Sequence, residues 1–362
     1  MSPQDRTPLA ESLVGDAQIR LLERLSNAAA VSGDEGEVRR IVLEEIRPLA
    51  DEIRVDSLGN ILAAHHAGRE NAPRVMLAAH MDEIGFMIVG DDEDGLYRFD
   101  AVGGIDPRIL PGKAVLVGES RIPGVIGARP IHMTTTEERR KTIPLDSLRI
   151  DLGPGGEGKA KPGDRAVFAT TFQRLGSSVF GKALDNRLGV ATVIELLRHA
   201  PANIELLAAF TVQEEIGARG ARVAAYALHP DAAIAVDSTP AYDLPTWDQT
   251  ENALYNTHLG AGPAIYIADG GTLADSRWVN HLIAAAGERG IPYQIRQPGR
   301  GGTDASAIQR QREGVPVISV SVPGRYAHTP GGIARIEDWQ NTIALLSAGL
   351  EALPAGLFQP AA

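Results

Sequence analysis

Residues 204–221 read IELLAAFTVQEEIGARGA. The apolar run Ile204–Phe210 predicts a mostly buried strand, and the small-residue segment from Gly217 predicts the opening of a helix. Glu214 and Glu215 stand side by side where the strand gives way to the turn. Along a regular strand, neighbouring side chains point to opposite faces. At a strand end, the turn can aim one glutamate at a cation and its neighbour at an attacking water. Two solvated surface charges are the plain alternative, and the rest of the chain decides between them.

The strand-then-helix texture recurs. VATVIELLRHA comes just before, and downstream follow AAIAVD, WVNHLIAAAGERG, PVISVSV and TIALLSAGLEAL. Upstream, Ile19–Ala29 has helical spacing, Ser32-Gly33-Asp34-Glu35 reads as a capping box for a helix through Ile46, and Arg74–Ala79 (RVMLAA) is a short apolar strand ending at His80. Ile53–Asp56 and Asn60–Ala63 predict a strand pair turning at Gly59. Alternation of this kind predicts an α/β sheet flanked by helices. Between about Gly85 and Thr171 the texture changes to short β-like runs (LYRFDAV, KAVLVG, GVIGA, RAVFAT) punctuated by Gly and Pro, the pattern of a small β-barrel. The expected organisation is therefore an α/β catalytic domain, 1–84 and 172–362, interrupted by a β insertion, 85–171.

Composition narrows the chemistry. The 362 residues include no cysteine, so any metal must rest on His, Asp and Glu. A net charge of −11 argues against nucleic acid as the main partner. No run of about 18 apolar residues suggests a membrane span. The first residues, MSPQDRTPLAES, lack the basic and apolar regions of a secretory signal, and the expected location is the cytoplasm.

Polar residues fall where α/β sheets bind ligands, outside the carboxyl ends of strands. His80 follows RVMLAA, Glu214-Glu215 follow IELLAAFTV, Asp237 follows AAIAV, and His328 follows PVISVSV. Asp185 lies in GKALDNRLG, before the helix beginning near Leu188. One catalytic ion takes three protein ligands and an open position. Five positions, His80, Asp185, Glu215, Asp237 and His328, suit two ions about 3.5–4 Å apart that share one carboxylate, read as Asp185. Zn²⁺, Co²⁺ or Mn²⁺ suits such oxygen and nitrogen donors. Glu215 is then a ligand and Glu214 the general base. Asp82, two residues past His80, is placed to accept the second imidazole N–H.

These residues sit in AHMDEIGFM (79–87), GKALDNRLG (181–189), QEEIGARGA (213–221), AVDS (235–238), GGTDAS (301–306) and RYAHTP (325–330). In order and over nearly the whole chain, they resemble metallopeptidase family forty-two, the tetrahedral aminopeptidases, some described as glutamyl aminopeptidases or endoglucanases. The resemblance implies His80, Asp185 and Asp237 on one ion, and Asp185, Glu215 and His328 on the other. It implies Glu214 as base and Asp82 as orienting partner. It further implies a β dimerisation domain and a hollow tetrahedral dodecamer with inward-facing active sites.

The leading expectation is an exopeptidase that removes N-terminal residues from short peptides, with two divalent ions, most readily Zn²⁺ or Co²⁺. Another amidohydrolase of the same clan, a dipeptidase or deacylase, is the alternative. A glycosidase needs an uncommitted carboxylate pair, and here the carboxylates look committed to metal. A metal-stabilised scaffold would need no base. An uncharged N-terminal residue such as Leu or Met is expected, because the segments assigned to the pocket, Tyr242–Thr272 and Pro298–Thr303, offer only Arg300 as a cation, with Arg296 just outside. The remaining histidines read as ordinary: His65 and His66 in a surface turn, His132 in a structural or subunit contact, and His199, His229, His258 and His281 on helices or loops. GRGGTDAS lacks a following Walker lysine and reads as a cleft loop.

Overall fold

A computed structural model describes residues 13–69, 71–244 and 257–358. The chain opens with α1 (Asp16–Asn27), α2 (Gly36–Ile46), β1 (Glu52–Val55), β2 (Ile61–His65) and β3 (Arg74–His80). Six strands follow: β4 (Gly85–Asp91), β5 (Leu96–Val102), β6 (Ala114–Val117), β7 (Ile122–Gly127), β8 (Arg149–Asp151) and β9 (Arg165–Phe168). Next come β10 (Gln173–Leu175), β11 (Ser178–Gly181), α3 (Leu184–Arg198), β12 (Glu205–Thr211), α4 (Arg219–Leu228) and β13 (Ala232–Pro240). The described chain closes with β14 (Ala264–Tyr266), α5 (Ser276–Arg289), β15 (Gln294–Arg296), α6 (Ala305–Ile308), β16 (Val317–Arg325), β17 (Gly332–Arg335) and α7 (Ile336–Glu351).

Eleven strands form one mixed sheet in the order β1-β2-β12-β3-β13-β16-β17-β11-β10, with β14 beside β16 and β15 beside β14. Its centre, β12-β3-β13-β16, is parallel. Helices cover both faces, which explains the unbroken apolar run in β3. Val75, Leu77 and Ala79 join the core under α1, α3 and α7, whereas Met76 and Ala78 join an alanine-rich core under α4 and α6. The two-residue period of the strand survives as a choice between two interiors.

Strands β4-β5-β8-β7-β6-β9 close into a barrel with its own core, where Phe99 and Phe168 meet Phe86 edge-on at 5.1 and 5.2 Å. The hairpin β10–β11 belongs to the large sheet. One local expectation needs correction. Ser32 does not cap the second helix: Glu35 occupies the N-cap, and the Ser32 hydroxyl donates to Asp82 Oδ2 at 2.6 Å. The charge-assisted bond to a buried carboxylate is stronger than accepting from helix N–H groups that water can reach. The N-terminal stretch 1–12 and part of the expected pocket, 245–256, lie outside the described residues.

Candidate active site

The parallel strands end on one edge, and the polar residues gather there. Thr211 pairs in register with His80, and Asp237 stands two residues beyond Ala235, the partner of Ala78. His80 and Asp237 therefore come level on adjacent strands. Asp185 precedes the regular part of α3. It and Asn186 depart from helical geometry, and the Asn186 side chain accepts from the Gly189 N–H at 2.9 Å. Asn186 thus takes the capping role at the start of the regular helix, and the Asp185 carboxylate is left to the site.

Asp185 lies between the two histidines, with one oxygen toward each. Oδ1 is 3.4 Å from His80 Nε2, and Oδ2 is 3.5 Å from His328 Nε2. Asp237 Oδ1 adds to the first side, 3.6 Å from His80 Nε2. Glu215 Oε2 adds to the second, 3.5 Å from His328 Nε2. One donor atom each from His80, Asp185 and Glu215 falls within 4.8 Å of the others. All five expected ligand positions therefore meet, in two groups sharing Asp185.

The glutamate pair is held by its backbone. Gln213 adopts a left-handed conformation (φ 58°) and turns the chain after β12. The N–H groups of Glu214 and Glu215 donate to Asp82 Oδ1 and Oδ2 at 2.9 and 3.1 Å. Only glycine fits at 220, where a Cβ would lie 2.2 Å from Asn60 Oδ1 and 2.4 Å from Val212 O. Glu215 then faces His328, while Glu214 lines a cavity of ≈ 240 Å³ with His80, Asp185 and Asp237. His80 Nδ1 lies 3.2 Å from the Asp82 main-chain oxygen and 3.5 Å from its Oδ1. Asp82 faces the imidazole chiefly through its carbonyl, while its carboxylate clamps the glutamate turn.

Burial dominates the electrostatics. It raises Glu214 well above the ordinary carboxyl range, lifts Glu215 to about 8, and raises Asp237 despite His80 beside it. Burial would also raise Asp185, but the hydrogen-bonding imidazoles of His328 and His80 outweigh it and hold that carboxyl far below its usual value. Burial opposes protonation of His80, yet Asp185, Asp237 and Asp82 push it well up; His328 reaches about 10, chiefly through Asp185. Acids crowded together in this way call for positive charge, and the His/Asp/Glu donor set fits divalent cations.

Several participants have no site role in the sequence reading. Ser32 supports Asp82. Glu83, Lys182 and Arg187 form a buried charged cluster in which Glu83 Oε1 accepts from Lys182 Nζ at 2.8 Å and Arg187 Nη2 at 3.0 Å. Arg187 also donates to the carbonyls of Met81 and Asp82, tying the segment after His80 to the start of α3. Burial lowers Lys182 to about 8. Asp304, in GGTDAS, accepts from Thr211 Oγ1 at 2.5 Å, and burial lifts it to about 7. The signal available was the pair of basic residues flanking Asp185 in an otherwise apolar stretch. The cavity wall holds Arg296 as well as Arg300, with the Arg296 guanidinium 4.2 Å over the Tyr266 ring. A one-cation wall, the premise for an uncharged N-terminal residue, is not what the fold builds.

A parallel-edge cluster of carboxylates and imidazoles, with a glutamate facing the adjoining cavity, defines a metal-dependent hydrolase. The model of the M42 glutamyl aminopeptidase family matches residues 59–345, and the chain belongs to that family. A putative aminopeptidase of Acetivibrio thermocellus is 36% identical over 90% of this chain and 96% of its own length. The lysyl aminopeptidase of Pyrococcus furiosus is 34% identical over 94% of this chain and 99% of its own. A solved TET1 peptidase of Pyrococcus horikoshii, described as able to assemble into a tetrahedron or a large octahedral shell, superposes with a TM-score of 0.80 at 33% identity, over 93% of this chain and 100% of its own. The protein is thus a metal-dependent aminopeptidase that hydrolyses N-terminal residues from peptides. No helix among the described residues is long and apolar enough to cross a membrane.

Proposed function

We propose that the chain holds two divalent ions, Zn²⁺ or Co²⁺, one on His80, Asp185 and Asp237 and the other on Asp185, Glu215 and His328. The observation that carries this reading is the split use of Asp185, one oxygen toward each imidazole. When bound, such a pair polarises the scissile carbonyl and acidifies the attacking water. Glu214 accepts the proton from that water as its oxygen bonds to the carbonyl carbon. The same carboxyl then returns the proton to the departing amide nitrogen as the C–N bond breaks. Asp82 keeps the glutamate turn and His80 in register for this transfer. The dense negative charge around the cavity favours a substrate with a free α-ammonium group.

The barrel is assigned to dimerisation within the expected 85–171 insertion, and the dimers to a tetrahedral dodecamer. Supporting this, Ile131 and Met133 stand 70% and 62% exposed between β7 and β8. Its place is the cytoplasm, in keeping with a cysteine-free composition. The decisive experiment is metal analysis with chelation. Full activity should coincide with two ions per chain, chelation should abolish it, and Co²⁺ or Zn²⁺ should restore it. A single ion at full activity overturns the reading. Anilides of Leu, Met, Lys, Glu and Asp rank the N-terminal residue, with the two-arginine wall as reason to include the acidic ones.

A further inference from the structure

We infer that the barrel insertion completes the His328 half of the site, with the Gly103–Gly104 segment after β5 orienting His328 and seating Glu215, so that the barrel sets how tightly the second ion is held. This rests on the two-ion reading above.

His328 needs outside help. It lies on the loop beyond β16 in a left-handed conformation (φ 56°), and its side chain is 42% exposed. Its Nδ1 lies 2.8 Å from the carbonyl oxygen of Gly104, 224 positions away in the chain. A carbonyl can only accept, so Nδ1 carries a proton, and Nε2 is the nitrogen left to face a cation beside Asp185 and Glu215. Groups of this kind fix the tautomer and angle of a ligating histidine.

The two glycines make the approach possible. A Cβ on Gly104 would lie 3.2 Å from His328 Nδ1, so the ring would have to retreat by a few tenths of an ångström. A Cβ on Gly103 would lie 2.7 Å from Ile84 Cγ2 and 3.3 Å from Glu215 Cβ. Gly103 also adopts φ 87°, which side-chain-bearing residues rarely take. The segment is fastened to the barrel, because Ile84 belongs to the barrel core and Ile105 packs against it. The barrel segment thus bonds to His328 and runs close beside Glu215, the two ligands that belong to the second ion alone. None of these contacts involves His80 or Asp237.

Gly104→Ala tests the inference in the full, assembled protein. Gly104 is exposed and its φ is not left-handed, so alanine there is compatible with folding. Stripped protein is titrated with Zn²⁺ or Co²⁺ by calorimetry, alongside light scattering and kinetics over a range of metal concentration. The second ion should bind about 10-fold or more weakly, within the ~10–100-fold range for such orienting partners. The first ion should bind as in wild type, and the lost kcat should return at high metal. Gly127→Ala, a barrel substitution whose nearest neighbour is 3.8 Å away, should change neither affinity. An unchanged second affinity in Gly104→Ala, whether or not the particle keeps its mass, overturns the inference. So does an equal fall in both affinities. A wild type that takes up only one ion defeats the two-ion reading instead, which keeps the two failures apart.

Discussion

The two halves of the site share Asp185 and are both touched by Asp82, but they are built differently. The His80 half is built inside the sheet: its imidazole is 2% exposed, ends a parallel strand, and is faced by Asp82 two residues on. The His328 half is built at a seam. Its imidazole is far more exposed, sits on a loop, and is steered by a carbonyl from the inserted barrel. The same ligand types are thus held in one case by regular secondary structure and in the other by the packing of two domains. Local openings are drawn from the weakly packed parts of a fold. The seam half is where metal should exchange first and where variants should act selectively.

The largest expected effect separates the adjacent glutamates. Glu214→Gln keeps the side chain's size but removes its basicity, so kcat should fall about 10²–10⁴-fold with both ions retained. Glu215→Gln should instead empty the seam half alone, with activity partly recovering at high metal. Metal analysis and kinetics on the two variants decide the matter. If Glu214→Gln loses metal while Glu215→Gln stays loaded and inactive, the roles are exchanged.

Asp82→Asn probes the interior half. It weakens the acceptor for Ser32 and for both glutamate N–H groups and neutralises the carboxylate beside His80. A loss of about 10–100-fold in kcat/KM, with weaker binding of the first ion, is expected. Selective loss of the second ion would erase the distinction between the halves.

The smallest effect on chemistry is expected from Ile131→Glu with Met133→Glu. Charges on these exposed barrel residues should yield smaller particles by light scattering, while a short anilide substrate is still cleaved at saturating metal. A double variant of undiminished mass would remove this surface from the assembly.

Much of the architecture was legible in the chain. Apolar runs such as RVMLAA and IELLAAF announced buried strands because hydrophobic burial is roughly additive along a strand and repeats with its period. The barrel was legible as a change of texture, although β4 and β8 were not picked out. The proposed ligands His80, Glu215, Asp237 and His328 could be nominated because parallel sheets deliver strand ends to a common edge, and Asp185 by its company with them. Ser32 was misread, since its local pattern satisfies a helix cap and only the fold brings Asp82 within reach.

What the sequence by itself determined is the order of elements, the interruption by a β unit, and the donor types available for chemistry, because each rests on local pattern and composition. What only the tertiary structure decided is how those donors are aimed. Asp185 divides its oxygens between two imidazoles, Asp82 grips the glutamate turn, and Gly104 steers His328. The cluster of Glu83, Lys182 and Arg187 is of the same kind. A charged residue in a sequence reads as exposed because burying an unpaired charge is prohibitive. Its burial becomes favourable only when partners far apart in the chain arrive together, and no local pattern records that arrival.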